Sequence, residues 1–208
     1  MNQTRTDVVV PGARDVRGTL EEPAEASSIV VACPPHPQHG GNRTDRRLVA
    51  VADSLGAAGI ACLRIDYGPW DEGYGELEDV RNAIRWARER YDRVGVFGFS
   101  FGSALAILAS RDRPEVEAVS ALAPPSRLGP EPELDVLEAL GDLEDLEMPI
   151  QIAYGVRDTT VDWEPVVELA ERLDAAVLEW AGDHFFVGQH HDIAAEVGTF
   201  FEDVLRSG

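Results

Sequence analysis

Apolar runs punctuate the chain at residues 7–10, 16–20, 28–33, 60–65, 93–97, 116–122, 150–154 and 176–180. Runs such as Ile29-Val30-Val31-Ala32 carry no polar alternation, so both faces of those strands must be covered. Between the runs, apolar positions recur at helical spacing over 44–55, 77–90, 101–110, 163–173 and 193–205, with a weaker, short helix over 134–140. The first two runs are joined by a short turn containing Gly12 and are expected to form an antiparallel pair. From residue 28 onward strand and helix alternate, which demands a parallel sheet with helices on both faces. No repeat or linker interrupts the pattern, and 208 residues suit one domain with a sizeable core. Residues 124–148, rich in Pro, Glu and Leu, are too short for a domain and could form at most a small flap over a site.

Directly after the fifth run stands Gly98-Phe99-Ser100-Phe101-Gly102, a Gly-x-Ser-x-Gly sequence leading into a small, apolar helix. A serine raised at the tip of so sharp a strand-to-helix turn is strained, and a Cβ on either flanking glycine would strike the adjoining strand and helix. The competing reading is a structural glycine turn with a bystander serine. A serine hydroxyl is a weak nucleophile at its free pKa and needs a positioned base. His184, four residues beyond Trp180, is the candidate base, and Asp158, four beyond Tyr154, is the candidate to hold its other ring nitrogen. Rivals exist for both. His190 and His191 open the last helix and read as solvated, while Asp162 suits an N-cap for the helix that follows it. Asp183 neighbours His184, but adjacent side chains point apart.

Eight strands in this alternation resemble the α/β-hydrolase fold: a mostly parallel sheet with its second strand antiparallel, helices on both faces and no large cap domain. That fold places the elbow after the fifth strand, the acid after the seventh and the histidine after the eighth, where Ser100, Asp158 and His184 fall. About residues 28–200 resemble one branch more specifically, the small dienelactone-hydrolase-like α/β hydrolases of bacteria and archaea. These carry His-Pro-His-Pro-x-x-Gly-Gly after the third strand; here the segment reads Pro34-Pro35-His36-Pro37-Gln38-His39-Gly40-Gly41, with Pro34 in place of the first histidine. An Arg-Phe-Asn-Phe-like strand ending and a Gly-x-Gly-Glu-x-x-Asp helix entry appear as Leu63-Arg64-Ile65-Asp66-Tyr67 and Gly73-Tyr74-Gly75-Glu76-Leu77-Glu78-Asp79, around a shortened loop at 68–73. In this fold one oxyanion donor is the backbone N–H after the nucleophile, here Phe101, and the other comes from the loop after the third strand. Along Pro34-Pro35-His36-Pro37 only His36 keeps an N–H, and the family resemblance puts the donor at the same position. A merely stiff loop is the alternative.

Charge narrows the partners. The 38 acidic residues face 18 basic ones, all arginine, for a net charge of −20. Such a surface repels nucleic acid and anionic membranes. Concentrated salt would screen its self-repulsion, so the balance suggests a salt-loaded cytoplasm. A GC-rich genome would explain the missing lysines but not the acid excess. Cys33 and Cys62 fall in apolar strands and read as buried free thiols, with no Cys-x-x-Cys or zinc spacing. The histidines show no metal-ligand spacing, and the glycines around residue 98 lack the lysine of a phosphate loop. The first residues carry no apolar leader and no run approaches a membrane span, so a soluble, cytoplasmic protein is expected.

The resulting expectation is a cofactor-free, metal-free serine hydrolase that cleaves a small ester or thioester through an acyl-enzyme. A peptidase or acyltransferase would use the same three residues. A non-catalytic hydrolase-fold protein that binds a ligand or partner is the rival from another class. Nothing in the sequence decides the oligomeric state.

Overall fold

The computed structural model describes residues 3–111, 113–145 and 147–206 of the chain. Eight strands form one sheet: β1 (Gln3–Val10), β2 (Val16–Pro23), β3 (Ser28–Cys33), β4 (Ala61–Asp66), β5 (Arg93–Phe99), β6 (Val116–Leu122), β7 (Ile150–Gly155) and β8 (Ala176–Trp180). Their spatial order is β1-β2-β4-β3-β5-β6-β7-β8. β2 runs antiparallel to both of its neighbours, and every pairing from β3 to β8 is parallel. Five α-helices fill the crossovers, α1 (Arg46–Ala57), α2 (Tyr74–Arg88), α3 (Phe101–Ser110), α4 (Val136–Asp145) and α5 (Glu164–Arg172), and α6 (His190–Arg206) follows β8.

The unbroken apolar strands are covered twice. Along β3, Ile29, Val31 and Cys33 pack under α2–α5, whereas Val30 and Ala32 face α1 and α6. The period of two thus sorts one strand between two cores. α3 is enclosed along its whole length, with every residue buried, which is why its sequence is apolar on every side. Cys33 and Cys62 are free and buried, and burial pushes both thiols far above the usual range. No helix among the described residues is long and apolar enough to cross a membrane.

Several boundaries differ from the sequence expectation: α4 runs Val136–Asp145 rather than 134–140, α6 begins at His190 rather than residue 193, and three further differences have a local cause. β1 begins at Gln3 rather than residue 7, because its ladder with β2 runs from Gln3 opposite Pro23 and needs no buried side chains to form. α2 begins at Tyr74 rather than residue 77. There the buried Glu76 carboxylate turns back to accept from the N–H groups of Gly73 and Asp71, both at 2.9 Å. The helical half of residues 124–148 belongs to the sheet's helix layer rather than to a free flap. Val136, Ala139, Leu140 and Leu143 are fully buried in the core shared with α3, and among the described residues none of the segment lines the cavity beside Ser100.

Candidate active site

Ser100 stands at the sharp turn between β5 and α3, with φ 55° and ψ −121°. That conformation costs about 1–3 kcal/mol and persists only where the surroundings impose it. Here the surroundings are backbone. A Cβ on Gly98 would lie 2.1 Å from the Gly102 carbonyl oxygen, and one on Gly102 would lie 2.2 Å from that of Cys33. The strand ends of β5 and β3 therefore meet the start of α3 at glycine-only distances. The turn is closed by the Ser100 N–H, which donates to the Leu122 carbonyl on β6 at 2.8 Å.

The loops after β7 and β8 bring the other two candidates to it. His184 Nε2 is 2.9 Å from Ser100 Oγ, and His184 Nδ1 is 2.7 Å from Asp158 Oδ2. The other Asp158 oxygen accepts from the Thr160 N–H at 2.8 Å, so the carboxylate is fixed from both sides. Asp158 and His184 are each only 6% exposed. With the Nδ1 proton directed at Asp158, the neutral imidazole presents Nε2 as an acceptor for the serine hydroxyl. The Trp163 indole N–H donates to the Asp158 carbonyl at 3.1 Å and its ring stacks on Tyr154, closing the acid's loop.

Asp162 takes a role other than the expected one. α5 starts at Glu164, and the residue at its N-cap, Trp163, makes no side-chain cap bond. With Trp163 drawn back onto Tyr154 and Asp158, the helix begins beyond the reach of Asp162. Its carboxylate instead accepts from the N–H (3.1 Å) and hydroxyl of buried Ser126, tying the loop after β6 to the loop after β7. His190 and His191 lie at the start of α6, away from Ser100, with their rings 4.3 Å apart.

On the other side of Ser100 is the loop after β3. Phe101 opens α3, so its N–H belongs to the helix's first turn and has no intrahelical acceptor. The His36 ring lies 4.9 Å from the Phe101 ring, 4.5 Å from Trp70 and 4.6 Å from His39. Its Nδ1 accepts from the Gln38 N–H at 3.3 Å. Burial, helped by neighbouring His39, holds this imidazole below the usual histidine range, so the neutral ring carries its proton on Nε2. The Tyr67 hydroxyl donates to the Pro34 carbonyl at 2.8 Å, and burial raises its own pKa well above the usual phenol range.

The two further motifs of the sequence prove to be scaffolding. Arg64 is fully buried and meets Glu21 on β2 through a two-pronged ion pair at 3.0 and 2.9 Å. Asp66 receives the Arg43 N–H at 2.7 Å and its guanidinium at 2.8 Å, anchoring the chain just past the His36 loop. Glu76 and Asp79 are both fully buried and share Arg14, from the β1–β2 turn. Asp79 also accepts from the Gly68 N–H at 2.9 Å, and burial raises its pKa despite Arg14 and that N–H. Together they secure the short loop that brings Trp70 against His36.

A cavity of about 390 Å³ opens beside Ser100, with His36, His39, Phe99, Phe185 and Arg47 in its walls. Arg47 was not singled out by the sequence. Among the described residues no three His, Cys, Asp or Glu side chains gather as a metal site.

Known proteins agree with this architecture. A solved esterase of Pyrococcus furiosus superposes with a TM-score of 0.80 at 18% identity, covering 98% of this chain and 91% of that one. A dienelactone hydrolase of Anabaena variabilis gives 0.77 at 22% identity over 97% and 98% of the two chains. An alpha-beta serine hydrolase homologue from Coxiella burnetii gives 0.77 at 23%, over 93% and 96%. At these identities the likeness speaks for the fold. In sequence, an uncharacterized protein of Rickettsia prowazekii is 27% identical across 76% of this chain and 71% of its own length. The model of the dienelactone hydrolase family matches residues 70–196, a span that includes Ser100, Asp158 and His184. With more than half of its length matched by that model and its strands in this order, the chain is an α/β hydrolase and belongs to the dienelactone hydrolase family.

Proposed function

We propose that this hydrolase cleaves a small carboxylic ester or thioester through an acyl-enzyme on Ser100. The observation that carries the reading is the hydrogen-bonded series from Asp158 through His184 to a serine held at positive φ. His184 Nε2 takes the hydroxyl proton as Ser100 Oγ bonds to the carbonyl carbon. The carbonyl π electrons move to oxygen, and the N–H groups of Phe101 and His36 are the proposed donors to that oxyanion. Collapse breaks the bond to the alcohol or thiol, which leaves with the proton from His184. Water then gives one proton to His184 as its oxygen bonds to the acyl carbon, and collapse breaks the bond to Ser100 Oγ, which takes that proton back from His184 as the acid leaves.

Asp158 keeps the imidazole in the useful tautomer and stabilises the imidazolium as it forms. The cavity supports a small acyl group: its volume is modest, and His36, His39, Phe99 and Phe185 give it ring-lined walls. p-Nitrophenyl esters of graded chain length, assayed in molar KCl, test the substrate class. Turnover should peak at short chains and vanish in Ser100→Ala. Equal turnover by Ser100→Ala would remove the acyl-enzyme from the account.

A further inference from the structure

We infer that Arg47 is a positioning residue that holds the His184 loop in register with Ser100; the inference rests on the proposed function. The sequence offers only Asp45-Arg46-Arg47 at the start of α1, where Asp45 is the N-cap and its Oδ1 accepts from the Arg47 N–H at 2.9 Å. The same carboxylate also binds its neighbour's side chain, with Arg47 Nε donating to Oδ1 at 2.8 Å and Nη2 donating to Oδ2. This two-pronged pairing folds the guanidinium back against its own helix end and fixes its plane. The plane lies over the Phe99 ring, 4.0 Å from its centroid, and the Phe99 ring is in turn 5.2 Å from the His184 ring.

One guanidinium nitrogen remains, and it reaches the histidine loop: Arg47 Nη1 donates to the Phe185 carbonyl at 2.9 Å. Phe185 directly follows His184, and its own ring is 59% exposed, so packing does little to hold this peptide unit. The next firm anchor is Phe186, 1% exposed and held at φ 51°. Between the imidazole, tethered by Asp158, and that anchor, the Arg47 bond is the cross-link from α1 to the base's own backbone. A paired guanidinium spends little on substrate, since its charge is already met by Asp45. A lysine would keep the charge but not the fork that grips Asp45 and Phe185 together.

The test is steady-state kinetics on a p-nitrophenyl ester with Arg47→Ala, with and without millimolar ethylguanidinium. Displacement of a base by a fraction of an ångström lowers kcat rather than binding, so kcat should fall about 10–100-fold while KM stays within about threefold. Ethylguanidinium should restore a measurable part of kcat, an effect that a merely structural loss would not show. Arg47→Lys, which keeps the positive charge beside Asp45 but not the fork, should fold like the native protein, lose kcat in the same direction and gain nothing from ethylguanidinium. Arg46→Ala, its exposed neighbour, is the control and should match the native enzyme. Unchanged kcat in both Arg47 variants, or a loss confined to KM, would overturn the inference while the ester hydrolysis of the native protein still stood. A native protein that cleaves no ester would remove the proposed function first.

Discussion

The proposed nucleophile and the proposed base are held by opposite means. Around Ser100 the backbone does the work: β5, β3 and α3 approach so closely that Gly98 and Gly102 leave no room for a Cβ, and every residue of α3 is buried. Around His184 side chains do it: Asp158 holds the ring, Arg47 the next carbonyl, and buried Phe186 anchors the loop in the core. A site fixed by main-chain contact is insensitive to any one side chain but intolerant of added atoms. A site fixed by side-chain bonds can be loosened one bond at a time.

The largest effects should separate the two regions by kind. His184→Ala should lower kcat about 10⁴-fold or more and leave the protein folded, with a stability loss of only about 1–3 kcal/mol from the Asp158 oxygen it leaves unpaired and the lost contact with Phe99. Gly102→Ala should act on the fold instead. The added methyl meets the Cys33 and Pro34 carbonyl oxygens, at 2.2 and 2.4 Å from the Cβ position, and the backbone of β3 cannot step aside. A loss of more than about 3 kcal/mol in urea unfolding, or failure to fold, is expected. A Gly102→Ala protein as stable as the native one would end the contrast.

The two aspartates sharpen it within the side-chain half. Asp158→Asn should cost about 10³–10⁴ in kcat, since an amide misdirects the imidazole tautomer. Asp162→Ala should leave kcat within a few-fold, yet cost about 1–3 kcal/mol of stability by abandoning the buried Ser126 hydroxyl. Greater catalytic loss in Asp162→Ala than in Asp158→Asn would reverse the assignment of the acid.

The smallest effect per residue belongs to the surface both regions share. An excess of 20 acidic charges repels itself, each exposed pair by about 1 kcal/mol at 4 Å in water. Salt shortens the screening length to about 3 Å at 1 M, so the melting temperature should climb between about 0.1 and about 3 M KCl. Thermal melts across that series check it, and a flat response would return the missing lysines to codon usage.

How much of this was legible in the sequence follows from the same contrast. The elbow was, because main-chain crowding leaves glycines and an apolar helix as its trace. The spacing of Asp158 and His184 after Tyr154 and Trp180 was legible too, since strand ends deliver them. Arg47 was not, because an arginine in the first turn of an amphipathic helix looks like any solvated charge. Its significance depends on Phe99 and Phe185, 52 and 138 residues away. The start of β1 was missed for a related reason. Its outer residues, Gln3 to Asp7, are exposed, and only the ladder with β2 makes them a strand. Asp162 misled because N-capping is the local use of such a residue, while its partner, Ser126, lies 36 residues back.

The central claim is that Ser100 is a nucleophile activated by His184, and covalent capture tests it without a choice of substrate. The native protein, treated with a fluorophosphonate in molar KCl, should gain the mass of one adduct, with peptide mapping placing it on Ser100. Ser100→Ala should gain none, and His184→Ala should react far more slowly. A native protein that stays unmodified under these conditions, or that carries its adduct on another residue, would contradict the account.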